Sequence, residues 1–430
     1  MSSSSHPLPS LTNCAVYRLP GEVLSIVLIE VVDPETSDWL EVINRRRAIV
    51  SVCRQWRHVA DGLAVLWSRI YFAPPVLPYF LRSCLRRAGP TADLIIKINP
   101  YPFEAVYENG TLRNVKPLLD PDFMAQSVEL LREVFPRVRS LELSDGHHSQ
   151  LFAILDLIAE FHAVRLTSLR VEASAYSRGV EPATPVGMTL KKLALGRISP
   201  FWTSNGLYRH LSELELHDLH GLRWSDLRGI LHGNTTLLEL RLSDVYCVGD
   251  DMEHHALLPR VVCLTLEYHL RSDESKAFLG SIFLPRLQRL DLELDGNTAT
   301  LDVARDARRF LGTARDIWLD VVGFRPRELA DIVSLCTSAR VLNLRRCRPL
   351  PFDELSYLAG VPGFSLPALQ LLKIAGDLTK EDVSVLLGEP FPSGLIVSEW
   401  SMGVEFDFKR WSLDDGQIRM EVVEDTPDGR

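Results

Sequence analysis

Along most of the chain, apolar residues recur in a short repeated pattern. Each copy has an apolar residue, two variable positions, a second apolar residue, one variable position and a third apolar residue. The middle apolar residues of successive copies lie 21 to 30 residues apart. Because side chains alternate between the two faces of a strand, the last two apolar residues of each copy predict a short strand with one buried face. The ten copies are Val138/Leu141/Leu143, Leu166/Leu169/Val171, Leu190/Leu193/Leu195, Leu211/Leu214/Leu216, Leu237/Leu240/Leu242, Val261/Leu264/Leu266, Leu287/Leu290/Leu292, Ala314/Ile317/Leu319, Ala339/Leu342/Leu344 and Leu369/Leu372/Ile374.

Segments with helical patterning lie between the strands, so strand and helix alternate along the chain. A spacing of about 26 residues is typical of leucine-rich repeats, in which the strands stack into one parallel sheet with the helices outside. The predicted fold class is therefore α/β, an irregular leucine-rich-repeat solenoid whose sheet starts with Leu94/Ile96/Ile98. The alternative is an ordinary α/β domain with leucine-rich strands. The predicted helices are Ser149–Ala163, Trp224–His232, Asp273–Ile282, Asp302–Leu311 and Arg327–Leu335.

The N-terminal part of the chain has a different pattern, which predicts three short helices. Pro20 suits the first turn of a helix, because it lacks the N–H that this turn leaves unpaired. The first helix ends at Asp33, since a residue before proline avoids the helical region. A second helix is predicted over Trp39–Cys53 and a third over Arg54–Leu63. The apolar face of the first helix is predicted from the spacing of Val23, Leu24, Val27, Leu28 and Val31.

Three motifs follow one another along these helices: LPGEVL at residues 19–24, VCRQWRHVA at 52–60 and LWSRI at 66–70. The ordered set resembles the F-box; a generic helical cap with Trp56 and Trp67 in its core is the alternative. The resemblance implies that the helices bind a Skp-type adaptor, which links the chain to a cullin-RING scaffold. Positions that match the family's interface or bundle core are Leu19, Pro20, Glu22, Val23, Leu24, Val52, Cys53, Trp56, Leu66 and Trp67.

One departure from compact F-boxes is visible. The stretch from Val32 to Arg47 is longer and more highly charged, and it contains three consecutive arginines, Arg45, Arg46 and Arg47. Similar insertions are familiar in the F-box families of mushroom-forming fungi, which the chain resembles overall. The insertion leaves the register of the second helix open.

The two ends of the chain differ from both patterns. Residues 1–16 are rich in Ser and Pro near the start and predict a disordered leader. The helical domain is predicted over 17–72 and the solenoid over 73–400. A β-hairpin over 401–423 is expected to cap the solenoid, because Val404–Trp411 and Gln417–Val423 alternate on either side of a turn at Asp414-Asp415-Gly416. Residues 424–430 are predicted to be a tail.

Charge and cysteine content narrow the class of protein. The net charge is −9, and residues 17–90 hold ten basic and seven acidic side chains, so the rest of the chain is acidic. That balance argues against a nucleic-acid partner. The seven cysteines are scattered without a CxxC pair, which favours free thiols in a reducing compartment. No apolar run approaches the roughly 18 residues of a membrane span, and the start lacks signal-peptide features. We expect a cytoplasmic or nuclear protein with no membrane association.

The polar positions between the repeat leucines form a second candidate site. In a solenoid they face the concave surface, and from the fourth to the eighth copy they are strongly acidic. Trp318 lies among them as a predicted exposed aromatic flanked by two aspartates. Such a surface suits a protein substrate with a basic segment, unless it is an idle solvated face. The predicted contact residues are Glu215, Arg241, Glu267, Asp291, Glu293, Asp316, Trp318 and Asp320.

No motif for enzyme chemistry is present. Phosphate-loop, dinucleotide-binding, zinc-protease and nucleophile-elbow patterns are missing from the sequence. The pairs His217/His220 and His254/His255 lack companion ligands at zinc-site spacing. We therefore expect neither an enzyme nor a cofactor, but the substrate-recognition subunit of an SCF-type ubiquitin ligase. The alternative is a non-ligase leucine-rich-repeat scaffold that uses the F-box only as a handle.

Overall fold

The chain forms a mixed α/β structure with a large, mostly parallel sheet. The chain divides into two compact units, Met1–Ser174 and Ala175–Arg430. None of the described helices has the length and apolarity of a membrane span. A computed structural model of the chain describes residues 19–32, 39–72, 78–99, 106–108, 111–113, 121–146, 154, 156–158, 160–161, 165–173, 190–197, 210–248, 256–268, 281–295, 307–322, 332–345, 366, 368–375, 396–400, 408–414 and 417–423.

The first unit begins with four helices that pack on one another. Their bounds are α1 (Gly21–Val32), α2 (Trp39–Val52), α3 (Arg54–Gly62) and α4 (Ala64–Ser68). The second helix was expected to include Cys53, but this residue caps the next helix instead. Its backbone is extended and its Sγ accepts a hydrogen bond from the Trp56 N–H at 3.5 Å, which satisfies one of the donors that a helix start leaves unpaired.

The rest of the first unit builds a parallel sheet. The elements are β1 (Arg69–Phe72), α5 (Pro78–Ala88), β2 (Leu94–Ile98), β3 (Val106–Glu108), β4 (Thr111–Arg113), α6 (Pro121–Val134), a 3-10 turn (Phe135–Arg137), β5 (Val138–Gly146) and β6 (Ser168–Ala173). Strands β1, β2, β5 and β6 are neighbours in that order and parallel, while β3 and β4 form a separate hairpin. The predicted first strand was β2. The sheet in fact starts with β1, inside the segment assigned to the helical domain, because Ile70, Tyr71 and Phe72 are all buried.

The second unit repeats one strand many times. Its elements are β7 (Lys192–Gly196), β8 (Glu213–Arg223), α7 (Trp224–Gly233), β9 (Glu239–Val248), β10 (Ala256–Leu257), β11 (Cys263–Tyr268), β12 (Ile282–Phe283), β13 (Arg289–Asp295), α8 (Arg308–Leu311), β14 (Asp316–Val322), β15 (Val341–Arg345), β16 (Leu371–Ala375), β17 (Ile396–Trp400), β18 (Phe408–Asp414) and β19 (Gln417–Val423). Its main sheet omits β10 and β12, which pair with each other. From β7 to β17 the neighbours in the main sheet are parallel.

The strands predicted from the apolar triplets are confirmed. The middle residue of every triplet lies in a strand of the structure, and every described triplet side chain is buried. In the second unit the middle residues are also register partners, so leucine or isoleucine stacks on its equivalent from strand to strand. One continuous row links Leu193, Leu214, Leu240, Leu264, Leu290, Ile317, Leu342 and Leu372.

The helices predicted between the strands agree less closely with the structure than the strands do. Trp224–His232 matches α7, and α8 lies within Asp302–Leu311. The prediction for Asp273–Ile282 was wrong at its end, because Ile282 is buried in the parallel pair of β10 and β12. The remaining helical segments lie partly outside the described residues.

The C-terminal strands extend the main sheet of the second unit. Strand β18 pairs antiparallel with β17 and with β19. The first strand of the expected hairpin was Val404–Trp411, but β18 runs from Phe408 to Asp414, and residues 404–407 lie outside the described part. The expected leader and tail also lie outside it.

Asn234 ties one repeat to the previous one. This buried residue follows α7, and its Nδ2 donates to the Ile230 carbonyl at 2.7 Å. Its Oδ1 accepts from the Leu211 N–H at 2.9 Å. A single side chain therefore satisfies a helix-end carbonyl and a buried amide ahead of β8, both of which would be costly to leave unpaired.

Gly196 is required by close packing at the end of β7. A Cβ added there would lie 2.0 Å from His217 Cε1, on the neighbouring strand. Gly196→Ala must therefore displace the imidazole, and we expect a loss of about 1–3 kcal/mol in the free energy of unfolding. Gly229→Ala is the matched control: a Cβ at Gly229, inside α7, meets no atom within 4 Å. It should stabilise by about 0.5–1 kcal/mol, since alanine favours the helix. Chemical denaturation measures both, and the same sign for both variants would contradict the packing argument.

Candidate functional site

Helix α1 is apolar around most of its circumference, but only one side of it is buried. Leu24, Leu28 and Val32 face the other helices of the first unit. On the adjoining side, the exposed fractions are 42% for Val23, 62% for Ile26, 36% for Val27 and 42% for Val31. These four residues, the α1 stripe, recur at helical spacing and so form one continuous surface. A helix that is apolar all round is normally buried all round. The stripe therefore has the character of an interface for a partner.

Several of the predicted adaptor-binding residues lie at the surface near the start of α1. Pro20, Glu22 and Val23 are exposed, and Val52, at the end of α2, is also exposed. Leu19, Cys53 and Trp56 are half-buried. The Gln55 Nε2 donates to the Leu19 carbonyl at 3.4 Å, which holds the entry to α1 against the start of α3. Val52 lies three residues before Gln55, at the junction of α2 and α3.

Three other residues of the predicted adaptor-binding set belong to the core. Leu24, Leu66 and Trp67 are buried, so a partner does not reach them in this structure. The Trp67 Nε1 donates to the Ala60 carbonyl at 2.7 Å. The Arg87 guanidinium lies 4.4 Å from the Trp67 ring and forms an ion pair with Asp61 at 2.9 Å. These residues pack in the core beneath the helices. A partner can therefore contact the α1 stripe but not these three side chains.

The apolar face predicted for α1 divides into a buried side and an exposed side in the structure. Of the residues predicted to form it, Leu24 and Leu28 are buried together with Val32, whereas Val23, Val27 and Val31 are exposed. Ile26 is the most exposed residue of the stripe, and sequence reasoning missed it. Its spacing of three residues from Val23 was the available signal. Periodicity alone cannot orient such a helix, because apolar residues occupy nearly every side of it.

The three consecutive arginines do not form a basic patch. Arg45 Nη1 donates to the Val31 carbonyl at the end of α1, at 3.0 Å. Arg46 is 3% exposed, and its Nη1 donates to the Arg69 carbonyl at 2.6 Å. The Arg47 guanidinium lies 5.3 Å from the Phe80 ring. The run thus joins α2 to three different elements, and it provides structural contacts rather than a charged binding surface.

The buried cysteines are poor candidates for chemistry. Burial raises the pKa of the Cys84 thiol, although Arg46, Arg87 and Arg47 oppose the shift. Burial raises the pKa of Cys336 to about 12, and it also raises that of the half-buried Cys263. A thiol with a raised pKa stays protonated at neutral pH and is a weak nucleophile. These thiols therefore have the character of small apolar residues of the fold.

The second candidate site lies on the sheet of the second unit, on the face opposite the leucine core. We call it the polar face. The register places Glu215, Arg241, Asp291 and Trp318 in one row across β8, β9, β11, β13 and β14. Glu267, Glu293 and Asp320 share the next row, and Asp316 lies on the other side of Trp318. The structure thus brings the eight predicted substrate-binding residues onto a common face.

The surroundings of Trp318 differ from the expectation of an exposed ring that awaits a cation. The side chain is half-buried, and its Nε1 donates to Asp316 Oδ1 at 2.8 Å. The Arg289 guanidinium lies 4.5 Å from the ring centroid, and the Lys373 Nζ lies 6.0 Å from it. The two cations of the same chain therefore already contact the ring. Asp320 is buried rather than exposed beside it.

A third group of polar residues lies just after β7 and within β8 and β9. Arg197, Asp218 and Asp244 have left-handed backbones, with φ of 55°, 52° and 50°, at equivalent places in successive repeats. Asp218 accepts from Arg197 Nε at 2.7 Å and lies 3.3 Å from His220 Nε2. Within the described ranges, no three His, Cys, Asp or Glu side chains are grouped to hold a metal ion. His254 and His255 lie outside those ranges.

Comparison with known proteins adds no family to this picture. No protein-family model matches the chain, and no curated protein is significantly similar to it in sequence. The functional argument therefore rests on the α1 stripe and on the polar face. Both are defined by the exposure and register of their residues in the structure.

Arg46 and Arg45 offer a test of the arginine run. Arg46→Ala removes a buried guanidinium and its hydrogen bond to the Arg69 carbonyl, so we expect a loss of about 2–3 kcal/mol in unfolding free energy. Arg45→Ala removes an exposed contact and a surface ion pair with Glu41, and we expect a loss of at most about 1 kcal/mol. Urea denaturation of the two variants gives the comparison. Equal losses would show that the burial of Arg46 has no structural consequence.

Proposed function

We propose that the chain is the substrate-recognition subunit of an SCF-type ubiquitin ligase. The N-terminal helices bind a Skp-type adaptor, and through it a cullin-RING scaffold, while the polar face of the second unit holds the target protein. The observation that carries the proposal is the exposed α1 stripe. It lies in the segment whose LPGEVL motif resembles the start of an F-box.

The stripe suits docking against a partner's apolar groove. Four branched aliphatic side chains at helical spacing are the usual anchors of a helix-in-groove interface. Burying one Val or Ile side chain contributes about 1.5–3 kcal/mol, so even partial burial of the four contributes a large share of a stable interface. In this proposal the exposed Pro20, just before α1, and the exposed Val52, at the end of α2, extend the apolar contact beyond the helix.

In this role the chain performs no chemistry of its own. It holds a target near a ubiquitin-charged enzyme supplied by other subunits, and its contribution is effective concentration. The repeated parallel sheet of the second unit suits that task, because each strand presents polar side chains at regular spacing on one face. The proposal assigns the protein to the cytoplasm or nucleus, with protein partners and no nucleic acid.

Co-purification with a Skp-type adaptor tests the proposal. The wild-type chain should bind stoichiometrically, and the double variant Val23→Asp/Val27→Asp should bind at least about tenfold more weakly, since charge then faces an apolar groove. Both side chains are exposed, so thermal unfolding should be nearly unchanged. Tyr79→Asp is the matched control, an exposed residue in the first turn of α5 where an acid is favourable.

Two results would overturn the proposal. One is failure of the folded wild-type chain to bind the adaptor. The other is equal binding by the stripe variant and the Tyr79→Asp control. Adaptor binding without ubiquitin transfer in a reconstituted cullin-RING assembly would instead favour an interaction scaffold that uses the helices only as a handle.

A further inference from the structure

One row of the polar face contains an unusual sequence of side chains. Strands β13, β14, β15 and β16 place Asp291, Trp318, Asn343 and Lys373 side by side. Neighbouring strands are about 4.8 Å apart, so Lys373 starts two strands away from Trp318. Its Nζ nevertheless lies 6.0 Å from the indole ring. The lysine side chain must therefore extend over Asn343 to reach the ring.

The side-chain oxygen of Asn343 is a buried acceptor without a hydrogen-bond donor in the described part of the chain. The residue is only 4% exposed, although Leu342 and Leu344 on either side of it face the core and Asn343 lies on the opposite face. Within the described residues, no donor reaches Asn343 Oδ1. Buried acceptors without a donor are rare in folded proteins, and each calls for an explanation. One explanation is that a bound partner supplies the donor.

The two cations at Trp318 lie at different distances from its ring. Arg289, on the adjacent strand, lies 4.5 Å from the ring, well inside the range of a cation–π contact. Lys373 is at the outer limit of that range at 6.0 Å. Lys373 is thus the more distant of the two cations, and the one that we expect a stronger cation to displace.

The charge around this row favours a basic partner. On the same face lie Glu267 and Glu293, in the row next to Trp318, and Glu215 and Asp291, in its own row. Acidic residues on a strand face are by themselves uninformative. Here the nearest of them, Asp291 and Glu293, lie on the strand adjacent to Trp318, and the buried acceptor of Asn343 lies on the strand on its other side.

We propose that the polar face binds an arginine-containing basic segment of a protein partner, and that Lys373 is its internal placeholder. The partner's guanidinium takes the position of Lys373 over Trp318, and one of its N–H groups donates to Asn343 Oδ1. Arginine suits this better than lysine, because its planar group stacks and donates at the same time. Flanking cations of the segment face the acidic rows. The inference rests on the proposed function in that this partner is the target to be modified.

Peptide binding to the full chain without adaptor tests the inference. The probe is a fluorescein-labelled peptide of alternating Arg and Gly, measured by anisotropy at low and physiological salt. Lys373→Met keeps the aliphatic stem but removes the competing charge, so binding should tighten by about threefold to tenfold. Asn343→Leu should weaken it by about tenfold, because the acceptor is lost. A Lys-Gly peptide should bind more weakly than the Arg-Gly peptide.

The control separates a placeholder from general electrostatics. Lys192→Met removes the same charge from the same face, on β7, where Lys192 forms an ion pair with Glu213. Equal tightening by Lys192→Met and Lys373→Met would overturn the inference, as would failure of the wild-type and Lys373→Met chains to bind the peptide. Adaptor co-purification should be the same for all of these variants. Loss of peptide binding with intact adaptor binding therefore removes only this inference.

Discussion

The stacking of equivalent leucines between parallel strands is the constraint on which the second unit depends. Each strand of the pattern buries two apolar side chains, and each is in register with the same position of the next strand. A slip of one residue would turn both leucines toward solvent. Because the leucine rows are held in this way, the residues between them are also aligned. The row that contains Asp291, Trp318 and Asn343 is a consequence of the packing of Leu290, Ile317 and Leu342.

The first unit combines helices with the start of its own parallel sheet. Its helices bury Leu24, Leu66 and Trp67 while leaving an apolar stripe on α1 uncovered. Arg46 is a charged residue on the buried side of α2. It joins α2 to β1 by a hydrogen bond to the Arg69 carbonyl. The helices and the first strand therefore form one packed body that supports α1. Packing of α1 against its neighbours favours binding, because an ordered helix loses less conformational freedom on association.

The polar face and the stripe differ in how well pattern reading could find them. Register follows from period two, so Glu215, Arg241 and Trp318 could be assigned to one face without coordinates. The contacts of the Trp318 ring could not be assigned from the sequence, because Arg289 and Lys373 reach the ring through long side chains from other strands. On α1, the buried and exposed sides are both apolar. Only packing against α2, α3 and α4 separates Leu28 from Val27, one residue away.

The amino-acid sequence by itself determined the strands, their order of repetition and the face on which each polar residue lies. These properties are local and periodic, so burial of the leucines is enough to specify them. The tertiary structure alone decided which side of α1 stays exposed, where Arg45, Arg46 and Arg47 reach, and that Lys373 extends over Asn343 to Trp318. Such contacts join residues that are distant in the chain, and they depend on side-chain reach and on what each element packs against, which no local pattern contains.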